Sequence, residues 1–391
     1  MKKLTKIALK KSERTVFGVL LIAIIVACNH ADKPDYPVLS VDVTRMNPPS
    51  LFDIFKKIEI IPLETTEHSL IGGSASKIIF YNNHYYILDA PNPSKSFYCF
   101  DEQGKFVRKI GNEGRGPEEY IFVQNFVINE SNHTAELLSP FGTIYTYELS
   151  GKFVGKKRLP DLVPNYQHIK LLNDSIRILL SATDNNQDQL YVYSTQSNTI
   201  VNSYYQENPA IFQWSCGKFY QYNNAIYFCK PLVSKVFKID QHGYEVAYAW
   251  DFGALNPENI KFDTDITNER LSEMFRNSQI KGFLFYQSQN DNYYFTSFIN
   301  QEPSVSAYKQ KYTSVLYEKR NNKKFVFEKF KEGLMFLPIF WCNDYVLATS
   351  TAFSNNTSKR VDPSVLDEEN RRKLNAIKED DNPFIIKYYF K

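Results

Sequence analysis

Two Gly-Lys-Phe turns, at Gly104 and Gly151, stand 47 residues apart, and each follows a run of aromatic and β-branched residues. The first run is Ser96-Phe97-Tyr98-Cys99-Phe100-Asp101 and the second Ile144-Tyr145-Thr146-Tyr147-Glu148. The spacing then repeats. Tyr191-Val192-Tyr193 leads to a turn at Gln196-Ser197-Asn198 another 47 residues on, and Val236-Phe237-Lys238-Ile239-Asp240 to Gln241-His242-Gly243 a further 45 on. A later copy runs from Val315-Leu316-Tyr317-Glu318 through Asn321-Asn322 to Phe325-Val326-Phe327. Gly and Asn at these turns supply the positive φ that tight hairpins need. A period of 45–47 residues with about four strands per unit predicts β-propeller blades. Helix-pair solenoids would carry stripes of period 3.6, and these units do not.

The two ends of the chain set the blade count. Lys57-Ile58-Glu59-Ile60-Ile61-Pro62-Leu63 reads as a strand with no partner before it, and Phe384-Ile385-Ile386-Lys387-Tyr388-Tyr389-Phe390 as one with no partner after it. Pairing them removes two exposed edges and closes a ring. Five complete units plus this shared one predict an all-β, six-bladed β-propeller over 55–391, about 56 residues per blade with insertions included. A seventh blade would have to lie hidden in the 254–280 gap. That gap is not strand-like. Thr267-Asn268-Glu269-Arg270 opens a short helix with Leu271, Met274 and Phe275 on one face. A second helical insertion, within about 353–380, carries Asp362 as N-cap, Pro363 at N1 and the charged run Asp367 to Lys373. Such a run ordinarily forms a solvated helix face.

The front of the chain reads as an export signal. Six Lys/Arg precede the thirteen-residue apolar stretch Thr15 to Ala27. As a helix it would span about 20 Å, short of a hydrocarbon core of about 30 Å. It is therefore expected to be a cleaved signal peptide, residues 1–27, and not a membrane span. It ends Val26-Ala27-Cys28, which resembles a bacterial lipobox. The resemblance implies cleavage before Cys28 and acylation of that cysteine, a several-chain anchor to the outer membrane. The alternative is an ordinary signal followed by a coincidental cysteine. Residues 28–54, polar and proline-bearing, suit a tether. Without 1–27 the 46 basic residues fall to 40 and the 43 acidic to 42, a net charge of −2. Nothing in that balance attracts nucleic acid. Of the remaining cysteines, Cys216 and Cys229 flank one predicted hairpin and either pair or stay reduced. Cys99 and Cys342 have no CxxC partner.

Several of these stretches are similar to a known group. The strand Ile60-Ile61-Pro62-Leu63-Glu64-Thr65-Thr66, the run Phe100 to Phe106 leading into Ile110 to Tyr120, and the closing Asp380 to Tyr388 resemble bacterial six-bladed β-propeller lipoproteins. The Asp-x-x-Gly-Lys-Phe turn and its Gly-rich connector also resemble NHL-repeat propellers. The resemblance implies this fold, an envelope location and no set activity, many members belonging to nutrient-acquisition systems of Gram-negative bacteria. Blade three departs from the pattern, with Ser197-Asn198 where Gly is usual.

Catalytic chemistry is sparse. The six histidines form no HxH, HExxH or His-plus-Cys spacing, so neither a metal nor a cofactor is expected. Asp184 to Asp188 starts like a calcium loop but lacks its later Gly and acid, and Gly72 to Ser76 fails GxSxG. The connector Gly111 to Tyr120 is spaced G-x-x-G-x-G-P, which suits an interblade turn. Read as a binding loop it would offer Arg115, Glu118 and Glu119. Met274 and Phe275 of the first insertion and Arg371 and Arg372 of the second would form an apolar patch beside cations if the insertions meet, or simply pack on the rim. The aromatics Trp214, Tyr220, Tyr222, Trp250, Tyr293, Tyr294, Phe340 and Trp341 read as interblade core before they read as a sugar platform. The leading expectation is a non-catalytic envelope lipoprotein that binds a glycan, peptide or protein partner. The alternative is an envelope hydrolase or lyase whose acids, Asp89, Asp101 and Asp240 among them, converge on the channel.

Overall fold

Blades one to five fold as four-stranded antiparallel meanders, with turns that hold residues tolerant of positive φ. Asn82 and Asn83 (φ 48° and 58°) and Asn223 and Asn224 (48° and 58°) make two-residue first hairpins, and Gly104, Gly151, Asn198 and Asn322 sit at φ 83°, 96°, 55° and 58° in third turns. Blade three thus keeps the turn geometry with Asn198 in place of Gly. Gly243 does not follow the expectation. Its φ is not positive, and the Asp240 carboxylate shapes that turn by accepting from the amides of His242 and Gly243 at 2.7 and 3.0 Å.

The computed structural model describes residues 34–72, 75–89, 96–160, 165–182, 188–212, 219–263, 265–301, 310–350 and 361–391. The signal segment 1–27, the lipobox Cys28, Trp214, Cys216 and the start of the calcium-like loop lie outside them. Among the described residues the strands form six sheets. Blade one is β3 (Ala75–Tyr81), β4 (His84–Asp89), β5 (Phe97–Asp101) and β6 (Phe106–Lys109). Blade two is β7 (Asn125–Asn129), β8 (Thr134–Ser139), β9 (Thr143–Glu148) and β10 (Phe153–Arg158). Blade three is β11 (Tyr166–Leu171), β12 (Ile176–Ser181), β13 (Leu190–Ser194) and β14 (Thr199–Tyr204). Blade four is β15 (Phe219–Tyr222), β16 (Ala225–Cys229), β17 (Lys235–Ile239) and β18 (Tyr244–Asp251), with β1 (Val38–Ser40) as a fifth, outer strand. Blade five is β19 (Gly282–Gln289), β20 (Tyr293–Gln301), β21 (Gln310–Glu318) and β22 (Lys324–Phe327). Blade six takes β23 (Pro338–Trp341), β24 (Tyr345–Ser350) and β25 (Phe384–Phe390) from the end of the chain and β2 (Phe55–Pro62) from its beginning. The ring closes as expected, with Ile58 opposite Tyr388, Ile60 opposite Ile386 and Pro62 opposite Phe384.

The core lies between blades. Alternate residues of a strand face opposite neighbours, so Ile61 and Ile385 pack toward blade one with Ile78 and Ile87, while Ile60 and Ile386 pack toward blade five with Phe295 and Leu316. Equivalent clusters fill the other interfaces.

One boundary differs from the sequence expectation. The segment assigned to a tether as far as residue 54 is taken into the body from Leu39 onward. Leu39, Val41 and Val43 are buried against blades four and five, and the Val41 amide donates to the Asp251 carbonyl at 2.8 Å. Farther on, α1 (Leu51–Ile54) buries Leu51 and Ile54 beside blade six. The edge strand β1 holds only Leu39 of these three, Val41 and Val43 following it in the loop, and its partner β18 lies some 200 residues away, a pairing that local polarity does not reveal.

Candidate functional site

The Gly-rich connector is a built turn. Gly111, at φ 66°, lies so close to the Tyr120 and Tyr147 rings that a Cβ would come within 2.7 Å of Tyr147. Amides and carbonyls bond across its neck, Tyr120 to Asn112 and Gly114 to Tyr120, each at 3.0 Å. Tyr147 Oη donates to the Glu118 carbonyl at 2.6 Å and Lys156 Nζ to that of Pro117 at 2.9 Å, fixing the loop to blade two. Of the residues nominated here, the Glu119 carboxylate accepts from the Gly116 amide at 2.7 Å, within its own loop. Arg115 and the Glu118 side chain are exposed.

The second nominated group is divided between two insertions. Strands of a blade alternate in direction, so fourth-to-first connectors and second-to-third connectors open on one face of the ring. The stretch between β18 and β19 is of the first kind and that between β24 and β25 of the second, in neighbouring blades, so both leave on the same face. Their helices nonetheless serve separate clusters. In α3 (Asn268–Arg276), capped by Thr267, Leu271, Met274 and Phe275 are buried with Phe283 and Ile299 of blade five and with Ala210 and Ile211 of α2 (Pro209–Phe212). Met274 and Phe275 are thus core residues. In α4 (Glu368–Ala376), Leu374 packs in the cluster between blades five and six while Arg371 and Arg372 are exposed. Asp362 and Pro363 begin a single 3-10 turn. Leu366 is extended, and Asp367 caps the helix proper by accepting from the Asn370 amide at 2.8 Å.

Asn370 explains why α4 sits where it does. Its Oδ1 accepts from the Ile60 amide at 2.7 Å, and its Nδ2 donates to the Ile58 carbonyl at 3.5 Å. The amide side chain thus stands in for a neighbouring strand along the outer edge of β2.

A different set of polar side chains lines the inner wall. Blades one to three meet through their first strands, β3, β7 and β11. On these stand Lys77, Asn125, His168 and Lys170. Lys77 Nζ donates to Asn125 Oδ1 at 2.8 Å and to the Phe126 carbonyl, and it lies 5.0 Å from the Phe126 ring. Asn125 Nδ2 is 3.4 Å from His168 Nδ1. Desolvation pushes the Lys170 ammonium down to about 8 and Lys77 well below its usual range, with the charge of Lys170 adding to the effect on Lys77. Sequence reading passed over these residues because none belongs to a motif. The available signal was a lysine inside an otherwise apolar first strand, as in Lys77-Ile78-Ile79-Phe80 and Ile169-Lys170-Leu171-Leu172.

Carboxylates are committed elsewhere. Asp101 Oδ1 accepts from the amides of Gln103 and Lys105, both at 2.9 Å, and Asp89 accepts from that of Gly72 at 3.1 Å. Glu136 of β8 forms a bidentate pair with Arg177 of β12, Nε to Oε2 at 2.7 Å and Nη2 to Oε1 at 2.6 Å, buried between blades two and three. Among the described residues no group of three or more His, Cys, Asp or Glu is arranged to hold a metal. Tyr220, Trp250 and Trp341 are buried interblade residues. Cys99 and Cys342 are free thiols, and the Cys216–Cys229 pairing falls outside the described residues. A recess of about 210 Å³ at the rim between blades six and one is lined by Pro62, Glu64, Gln103, Lys105, Asp381 and Asn382. It is a bonded seam, since Glu64 accepts from the Phe106 amide and Asn382 donates to the Glu64 carbonyl, both at 2.8 Å.

Solved structures share this fold. A "putative exported protein" of Bacteroides fragilis NCTC 9343 superposes with a TM-score of 0.71 at 17% identity, over 90% of this chain and 99% of that one. A member of the duf4221 family from Bacteroides vulgatus ATCC 8482 does so with a TM-score of 0.52 at 10% identity, over 86% of this chain and 97% of that one. No curated protein matches the sequence. The family model of DUF4934, a domain of unknown function, matches residues 37–389, from just before β1 to the last residues of β25, and the chain belongs to that family.

Proposed function

We propose that this protein is an exported, lipid-anchored propeller of the cell envelope that binds a glycan, peptide or protein partner without transforming it. The observation that carries the reading is how its recurring acids are used. Asp89, Asp101 and Asp240 hold backbone amides at loops and turns. A glycoside hydrolase ordinarily needs two carboxylates directed at one glycosidic bond. The inner wall offers amines, an amide and an imidazole instead, groups that recognise a ligand by donating hydrogen bonds. A neighbour of the same fold is described as exported, in keeping with the signal-like segment 1–27 and the lipobox at Cys28. Nutrient acquisition is the setting that the lipoprotein resemblance suggests.

Two measurements test this. Purified protein presented with a panel of glycans and peptides should bind one class saturably and release no product. Product formation that a single acid-to-Ala substitution abolishes would overturn the binding reading in favour of a hydrolase or lyase. Separately, Cys28→Ser should move the protein from the membrane fraction to the soluble periplasm or medium, because several acyl chains together make the anchor. A Ser variant that still sediments with membranes would refute lipid anchoring at Cys28.

A further inference from the structure

We infer that the inner wall of blades one to three is a binding site for a ligand bearing a carboxylate or sulfate group, held by Lys77 and Lys170 and oriented by Asn125 and His168. This rests on the binding reading above and names its ligand chemistry. Lys77 and Lys170 stand on equivalent first strands two blades apart, both half-buried, with Asn125 and His168 between them along the wall. The acceptors that Lys77 has, Asn125 Oδ1 and the Phe126 carbonyl, are neutral. Among the described residues neither lysine is ion-paired to a carboxylate.

Two other enclosed cations of the ring, Arg177 and Lys387, each have a carboxylate charge near them. Arg177 has the Glu136 carboxylate in bidentate contact, and Lys387 lies over the rings of Phe80 and Tyr345 at 4.3 and 4.2 Å in the field of Glu59. Two ammonium groups in one another's field, neither ion-paired to a carboxylate among the described residues, cost free energy that an apolar side chain at either position would not. Stability alone therefore does not account for them. An oxyanion supplies what the wall lacks. It would accept charge-assisted hydrogen bonds from both lysines and cancel their repulsion, while the Asn125 amide and the His168 ring fix its orientation. Neutral sugars or peptides would gain none of this.

The probes are sodium sulfate against sodium chloride at matched ionic strength, and D-glucuronate against D-glucose. Sulfate or glucuronate should raise the melting temperature saturably, with glucose and chloride inert. Binding of sulfate alone assigns the site to sulfate groups and of glucuronate to carboxylates, and either supports the inference. Lys170→Met, which removes an amine with no hydrogen bond among the described residues, should weaken the anion by about tenfold or more and leave the ligand-free melting temperature unlowered. Should that variant fail to fold, acetylation of Lys170 in the unmodified protein, followed by mass spectrometry, should be slowed by the anion. No saturable effect of either anion, equal binding by Lys170→Met, or labelling indifferent to anion would each overturn the inference. A neutral glycan bound equally by Lys170→Met would overturn it while leaving the binding reading intact. Saturable anion binding by a protein that then processes a glycan would overturn only that reading.

Discussion

A chain ending at Pro383, without Phe384–Phe390 and Lys391, will not fold. The strand that would be lost is an interior one. It lies between β24 and β2, bonded to both along its whole length. Its removal leaves two ladders unpaired and strands the β2 segment, whose only sheet neighbour among the described residues it is. Phe384, Ile385, Ile386, Tyr388 and Phe390 are all essentially inaccessible to solvent and pack against blades on both sides. At roughly 2 kcal/mol for each large apolar side chain, the loss is about 10 kcal/mol. That equals the whole stability of an ordinary domain, about 5–15 kcal/mol. The truncated chain should be insoluble, or lack a cooperative thermal transition by circular dichroism. A cooperative melt within a few degrees of the full-length protein would refute closure through β25.

The second large effect is expected at the buried Glu136–Arg177 pair. Arg177 is held by more than its carboxylate, since Nη1 donates to the carbonyls of Asn173 and Asp174 at 2.8 and 3.1 Å. Its guanidinium thus ties the β11–β12 turn of blade three to the β8 strand of blade two. Glu136→Ala leaves that guanidinium enclosed without its counter-charge, and the expected cost is about 3–5 kcal/mol. Glu136→Leu combined with Arg177→Met removes both charges together and should cost less than Glu136→Ala. Urea midpoints of the two variants against the parent measure the difference. A loss below about 1 kcal/mol for Glu136→Ala would show that water reaches the pair and that it behaves as a surface ion pair.

Much of this architecture was legible in the chain. The blade repeat, the hairpin turns at Gly104, Gly151 and Asn198, the cap of α3 at Thr267 and the pairing of the terminal strands all follow from local rules. Alternation sets which residues face a neighbouring blade, positive φ selects Gly or Asn, and an unpaired edge demands a partner. Local rules also mark an apolar helix face, and Leu271, Met274 and Phe275 do share one. What that face meets is not local, and it meets blade five and α2 in place of a ligand.

The features that bear on function depend on contacts about one blade or nearly the whole ring apart. Glu136 and Arg177 are 41 residues apart and Lys77 and Asn125 48, so each pair joins adjacent blades. Asn370 reaches Ile60 across 310 residues because the ring has closed. By itself the sequence determined that blades form and where the repeated turns at Gly104, Gly151 and Asn198 fall, since those properties are set by side chains within one hairpin, and the two unpartnered end strands gave the count. Only the tertiary structure decided which polar side chains join the lysines of the first strands and which acids are occupied at turns. A charge is enclosed or solvated according to what other blades place around it, and nothing in the few residues on either side of Lys77 or Lys170 records that.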